Sequence, residues 1–83
     1  MGGGKKTPAE AFGQVLQALR LEKGLTQEAL ALEAGTERSH ISALERAEKG
    51  PSLNTILRLA RALGVSAGQI MSMVEDKLSE RKR

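Results

Sequence analysis

Between residues 8 and 78, apolar side chains recur three and four positions apart in five separate runs, the spacing that lines one face of an α-helix. Phe12, Val15, Leu16 and Leu19 form the first stripe and predict a helix over about residues 8–23. Thr7-Pro8-Ala9-Glu10 is a complete start for it: a capping Thr, a Pro whose missing N–H costs nothing there, and a Glu three residues on to close the box. Gly24 stops it. Thr26 caps a short second helix, about 27–34, with Glu28 in its first turn and Leu30 and Ala31 or Ala34 turned inward. Gly35 suits the sharp turn that follows, and a third helix, about 37–47, presents Ile41 and Leu44 to the core. Lys49-Gly50-Pro51-Ser52 punctuates the middle of the chain. Ser52 then caps a fourth helix, about 53–63, with a broad inward face of Leu53, Ile56, Leu57, Leu59, Ala60 and Leu63. Gly64 ends it, and Ser66 with Gln69 boxes the start of a fifth helix, about 67–78, bearing Ala67, Ile70, Met71, Met73, Val74 and Leu78. No alternating β-branched run suggests a strand. The expectation is an all-α fold, a compact five-helix domain over residues 7–78.

The ends differ in character. Residues 1–6 begin with a run of three glycines, costly to order and with nothing to pack, so a disordered N-terminal tail is expected; residues 79–83 read as a frayed, basic C-terminal tail. With 83 residues and no cysteine, the chain has room for one modest core and neither disulfides nor thiolate ligands, which fits a reducing, cytoplasmic setting. No apolar run approaches the roughly 20 residues needed to span a bilayer. The net charge of +3 and pI of about 9.7 point toward nucleic acid less than they first suggest. Five of the 13 basic residues lie at the ends (Lys5, Lys6, Arg81, Lys82 and Arg83), leaving eight against ten acidic residues between them, a net −2. Any surface that faces DNA must therefore be a local patch.

The second and third helices, with a short link through Gly35, have the spacing of a helix-turn-helix, in which the second of the pair enters the major groove. With Ile41 inward and 100° per residue, Ser39, Ala43 and Arg46 face outward, His40 and Ser42 lie on the shoulders, and Arg38 stands in the first turn.

Over roughly residues 12–74 the chain resembles the lambda-repressor-like, or Xre-type (Cro/C1-type), helix-turn-helix domains of bacterial and phage regulators. The matching features are Phe12-Gly13, Leu19-Arg20, Gly24-Leu25-Thr26-Gln27, Leu30-Ala31, Ala34-Gly35, Ile41-Ser42, Leu44-Glu45, Pro51-Ser52-Leu53, Leu59-Ala60 and Ala62-Leu63-Gly64-Val65, all in register. The resemblance implies a sequence-specific transcriptional regulator. Arg38, Ser39, Ser42 and Ala43 occupy positions that approach bases; Gln27 contacts the DNA backbone and braces the recognition helix; Arg20 and Glu45 form an ion pair between helices 1 and 3. Thr26, His40, Arg46, Lys49 and Asn54 complete the set expected near phosphates.

Three departures stand out. Glu37 occupies a position usually held by a capping Ser or Thr, so the cap is expected to pass to Thr36; a carboxylate there repels phosphates, or accepts a hydrogen bond from cytosine N4. Ala47 replaces a glycine, so helix 3 is expected to continue toward Gly50. Ser39 and Ala43 are short where many relatives carry Gln, leaving Arg38 as the residue suited to a bidentate grip on guanine.

Helix 5 has more apolar surface than one packing face needs, with Met71 and Met73 on opposite edges. Ile70, Met71, Met73, Val74 and Leu78 are therefore the expected homodimer contact, with the edge of helix 4 as a further contributor, and double-stranded operator DNA the expected partner. A protein-interaction domain of the same fold, antitoxin-like, is the alternative. A lone histidine with no cysteine offers no metal site, no cofactor or small-molecule effector is evident, and no nucleophile–base arrangement suggests an enzyme.

Overall fold

Every helix in the computed structural model, which describes residues 6–79, starts where the sequence can satisfy free backbone N–H groups, with one exception. Thr7 and Glu10 close a reciprocal box, at 3.1 Å for the Glu10 N–H to Thr7 Oγ1 and 2.9 Å for the Thr7 N–H to Glu10 Oε1. Ser66 and Gln69 do the same at 3.0 and 2.9 Å. Thr26 Oγ1 accepts from the Ala29 N–H at 2.9 Å and Ser52 Oγ from the Thr55 N–H at 3.0 Å. These starts define α1 (Pro8–Glu22), α2 (Gln27–Ala34), α4 (Leu53–Leu63) and α5 (Ala67–Ser79). The exception is α3 (Arg38–Glu45), whose cap residue Glu37 makes no side-chain capping bond. Thr36 does not take over: its Oγ1 lies 2.9 Å from His40 Nδ1.

Four helices end in one way. After α1, α2, α3 and α4 a residue turns left-handed, Gly24, Gly35, Ala47 and Gly64 with φ between 61° and 73°, and the next N–H reaches back to a carbonyl in the last turn. For α3 these bonds are the Ala47 N–H to Leu44 O at 3.1 Å and the Glu48 N–H to Ala43 O at 2.9 Å. The expectation that Ala47 would let helix 3 run on is thereby corrected, since alanine takes the backbone conformation that glycine would, and the helix stops at Glu45.

The core is continuous. Ala11, Phe12, Val15, Leu16 and Leu19 of α1, Leu30, Ala31 and Ala34 of α2, Ile41 and Leu44 of α3, Leu59, Ala60 and Leu63 of α4, and Ile70 and Val74 of α5 are all buried. α1 packs against α3 and α5, α2 against α3 and α4, and α4 against α5; no strand occurs among the described residues. α1 comes close to α3 at Gly13, where an added Cβ would lie 2.6 Å from the Leu44 carbonyl oxygen and 2.7 Å from that of Glu45.

Burial corrects two expectations. Leu53 and Leu57, expected inward on α4, are 74% and 52% exposed. Ile70 and Val74, expected at a subunit contact, are 1% and 3% exposed and belong to the protomer's own core, so they have no surface left to offer a partner. Leu78 is half-buried against the same core. Ser79, expected frayed, closes α5 with its hydroxyl donating to the Glu75 and Asp76 carbonyls. The remaining tail expectations, for residues 1–5 and 80–83, lie outside the described residues.

Candidate nucleic-acid interface

α2 and α3 are fastened from beneath by Leu30, Ala31, Ala34, Ile41 and Leu44, all with 7% exposure or less. With its inner side so occupied, α3 turns the opposite side to solvent: Arg38, Ser39 and Arg46 are exposed, while His40, Ser42 and Ala43 are half-exposed. Eight residues make a cylinder about 12 Å long, comparable to the major-groove width.

Polar contacts fix how α3 is held. Glu45, at the end of α3, receives Arg20 Nε at 2.6 Å on one oxygen, with Arg20 Nη2 at 3.1 Å and Gln27 Nε2 at 3.0 Å on the other. The third guanidinium nitrogen, Nη1, donates to the Leu25 carbonyl at 2.8 Å, in the link between α1 and α2. One carboxylate thus ties α1 and the start of α2 to the recognition helix. The Arg20 and Glu45 side chains are only 9% and 3% exposed, and the bond to Glu45 raises the Arg20 pKa above its usual value against the opposing effect of burial. The bracing expected of Gln27 takes the form of this bond; its amide has a second N–H beyond the one given to Glu45.

Other expected residues are distributed around α3. Arg46 Nη1 donates to Ser42 Oγ at 2.6 Å and Nε to Glu48 Oε2 at 2.8 Å, so this cation is not free. The pair is exposed; the Arg46 bond holds the Glu48 carboxyl below the usual range, and Glu48 raises Arg46. A shallow concavity of about 400 Å³ is lined by Glu37, Ser39, His40, Ala43, Glu48 and Lys49. His40 also borders a smaller cleft with Thr36, Thr55 and Arg58. Thr26 and Asn54 are exposed at the starts of α2 and α4, although the Thr26 hydroxyl is already engaged as a cap.

Sequence reasoning missed Glu48 altogether. Two residues apart on a helix, Arg46 and Glu48 would point away from each other. They meet because the left-handed Ala47 between them reverses the chain, and the only available signal was that alanine standing in a glycine position. Gly13 was likewise seen only as part of a motif, although its missing side chain is what lets α1 reach α3.

An exposed second helix, set at a fixed angle by aliphatic contacts from its partner and locked by a buried ion pair, defines the class: a helix-turn-helix DNA-binding regulator of the Xre, or Cro/C1, type. A helix-turn-helix family model matches residues 16–70, and the chain belongs to that family. It is 38% identical over 64 residues to an uncharacterized HTH-type transcriptional regulator, y4dJ, of Sinorhizobium fredii, covering 77% of this chain and 83% of that one. It is 34% identical over 73 residues to the control protein C.BamHI of Bacillus amyloliquefaciens, covering 87% and 90%. Some relatives are longer; the match spans 41% of the immunity repressor of Bacillus phage phi105. Among solved structures, it superposes with a TM-score of 0.80 and 27% identity on the restriction-modification controller protein C.Esp1396I, covering 88% of this chain and 96% of that one, in a tetramer complexed with its natural 35 base-pair operator.

Proposed function

We propose that the chain is a cytoplasmic transcriptional regulator that binds a roughly palindromic operator as a homodimer, each copy laying α3 into one major groove. One observation carries this reading: the Arg20–Glu45–Gln27 cluster fixes α3 from the protein side, while Arg38 and Ser39 stand exposed on the other. Arg38 makes no intramolecular hydrogen bond or ion pair among the described residues, so its fork is available to guanine O6 and N7. Ser39, Ser42 and Ala43 are the shorter base-facing positions. Gln27, His40, Arg46, Lys49 and Asn54 flank them toward the phosphates, with Thr26 beside Gln27. No helix among the described residues is long and apolar enough to cross a membrane.

The dimer contact is assigned to apolar residues of α4 and α5 that the protomer's core leaves exposed. Met71 and Met73 flank the buried stripe of α5, and Leu53 and Leu57 share one face of α4. A tetramer on operator DNA in the C.Esp1396I structure supports assembly of this fold on DNA.

Selection of bound sequences from a random DNA pool tests the reading. The expected product is an inverted repeat with centres about one helical turn, 34–36 Å, apart. Arg38→Ala should weaken binding to it by about 1–3 kcal/mol and relax one guanine position. Recovery of no enriched motif would overturn the proposal, and an unchanged motif with Arg38→Ala would overturn the base assignment.

A further inference from the structure

Three carboxylates stand on or beside α3, and two of them are neutralised. Glu45 is enclosed by Arg20 and Gln27, and Glu48 is paired with Arg46. Glu37 is exposed, makes no capping hydrogen bond, and has no ion pair among the described residues. At the equivalent position of their own helices Thr7, Thr26 and Ser52 each place a hydroxyl that closes on a backbone N–H. The helix that faces outward thus begins with the one cap residue among the described helices that forgoes this bond, and sets a free negative charge on the lip of the concavity shared with Ser39, His40 and Ala43. Beside DNA such a charge is repelled by every phosphate it approaches, unless a donor on a base edge meets it.

We propose that Glu37 is a specificity-determining residue that accepts a hydrogen bond from the N4 amino group of a cytosine, within one base step of the guanine held by Arg38. The proposal rests on the DNA-binding reading above and extends it to the base identity of a second position. An ionised carboxylate can only accept hydrogen bonds. In the major groove, guanine offers it two acceptors, O6 and N7, and thymine an acceptor and a methyl group. Adenine presents a donor at N6, but with the N7 lone pair beside it, facing the second carboxylate oxygen. Cytosine alone presents a donor with no acceptor on the same edge. Arg38 next to it has the opposite inventory, donors only, and is equally unpartnered. Since the two side chains are not spent on each other, consecutive residues are left to read the donor edge of cytosine and the acceptor edge of guanine, either on one base pair or on neighbours.

The test is the same pool selection carried out with the full chain as wild type, Glu37→Gln and Glu37→Ala, each with a melting curve. The wild-type motif should contain a cytosine within one base step of the guanine that Arg38→Ala relaxes. Glu37→Gln should move the preference there toward adenine, whose N6 and N7 suit an amide. Glu37→Ala should erase it, cutting discrimination for cytosine by roughly five- to tenfold, without weakening binding to random DNA. Either variant retaining the cytosine, with or without a lower Tm, would assign Glu37 a structural role and overturn the proposal while leaving the DNA-binding reading intact. Failure of the wild type to enrich any motif would instead overturn the reading beneath it. Should the variants not fold, wild-type protein can be titrated with the selected site carrying 2-pyrimidinone, which lacks the amino group, in place of that cytosine. A similar loss supports the contact, and no loss overturns it.

Discussion

Ala47 shows how much a single residue decides beside the recognition helix. Its φ of 61° is a conformation in which an L side chain is strained, by roughly 1–2 kcal/mol, and which the chain gives to glycine after α1, α2 and α4. Ala47→Gly should therefore stabilise the fold, by about 0.5–1 kcal/mol after allowance for the added freedom of the unfolded chain, raising Tm by several degrees in a thermal melt. The same turn delivers Glu48 to Arg46. Because that bond lowers the Glu48 pKa, whatever stability it contributes is present above the unfolded value and is lost only as pH falls through the lower, folded one; across the neutral range the pair does not titrate. Glu48→Gln should free Arg46 for phosphate and remove a repelling charge, so affinity for any DNA rises and the slope of log K against log salt steepens by about 1 in fluorescence anisotropy.

At the scale of elements, the position of α3 is set from α1. Arg20→Ala leaves the Glu45 carboxylate enclosed without its main partner, and a loss of about 3–5 kcal/mol is expected for a buried pair broken on one side, seen as a lower urea midpoint with an unchanged m-value. Gly13→Ala should act by a different route. Its Cβ meets backbone oxygens of Leu44 and Glu45, atoms that cannot rotate away, so α1 and α3 must separate at a cost of about 1–3 kcal/mol, with weaker operator binding in a gel shift even where the protein stays folded. Much of this arrangement was legible in the sequence. Caps and apolar spacing gave α2 and α4 their observed ends, and the motif register implied the Arg20–Glu45 pair before any distance was known. What escaped were features that depend on how elements meet. A helical period cannot tell that Leu53 and Leu57 lie outside the cover supplied by neighbouring helices, nor that Ile70 and Val74 are used up within one protomer. The end of α3 escaped because it turns on a backbone conformation that the residue type disfavours.

At the scale of the molecule, the described body carries exposed leucines and methionines on α4 and α5, and the positive net charge of the full chain comes from its terminal residues, not from its middle. If the exposed α4 and α5 residues join two copies, Leu57→Asp should shift the species seen by light scattering at micromolar protein toward the monomer, leave the helical circular dichroism intact, and reduce operator affinity more than affinity for a half-site. A dimer unchanged by Leu57→Asp would place the contact elsewhere. With about 6–10 phosphates engaged, wild-type affinity should drop by roughly 10³–10⁵ between 50 and 200 mM salt. The outward positions of α3 have a consequence of another kind. Arg38 and Ser39 bear none of the weight of the core, and the clamp on Glu45 is closed without them. Their side chains can be exchanged as a type slug is in a press, the frame staying locked while the printed letters change, so that new addresses on a genome are reachable from this scaffold without a foldability toll at every step.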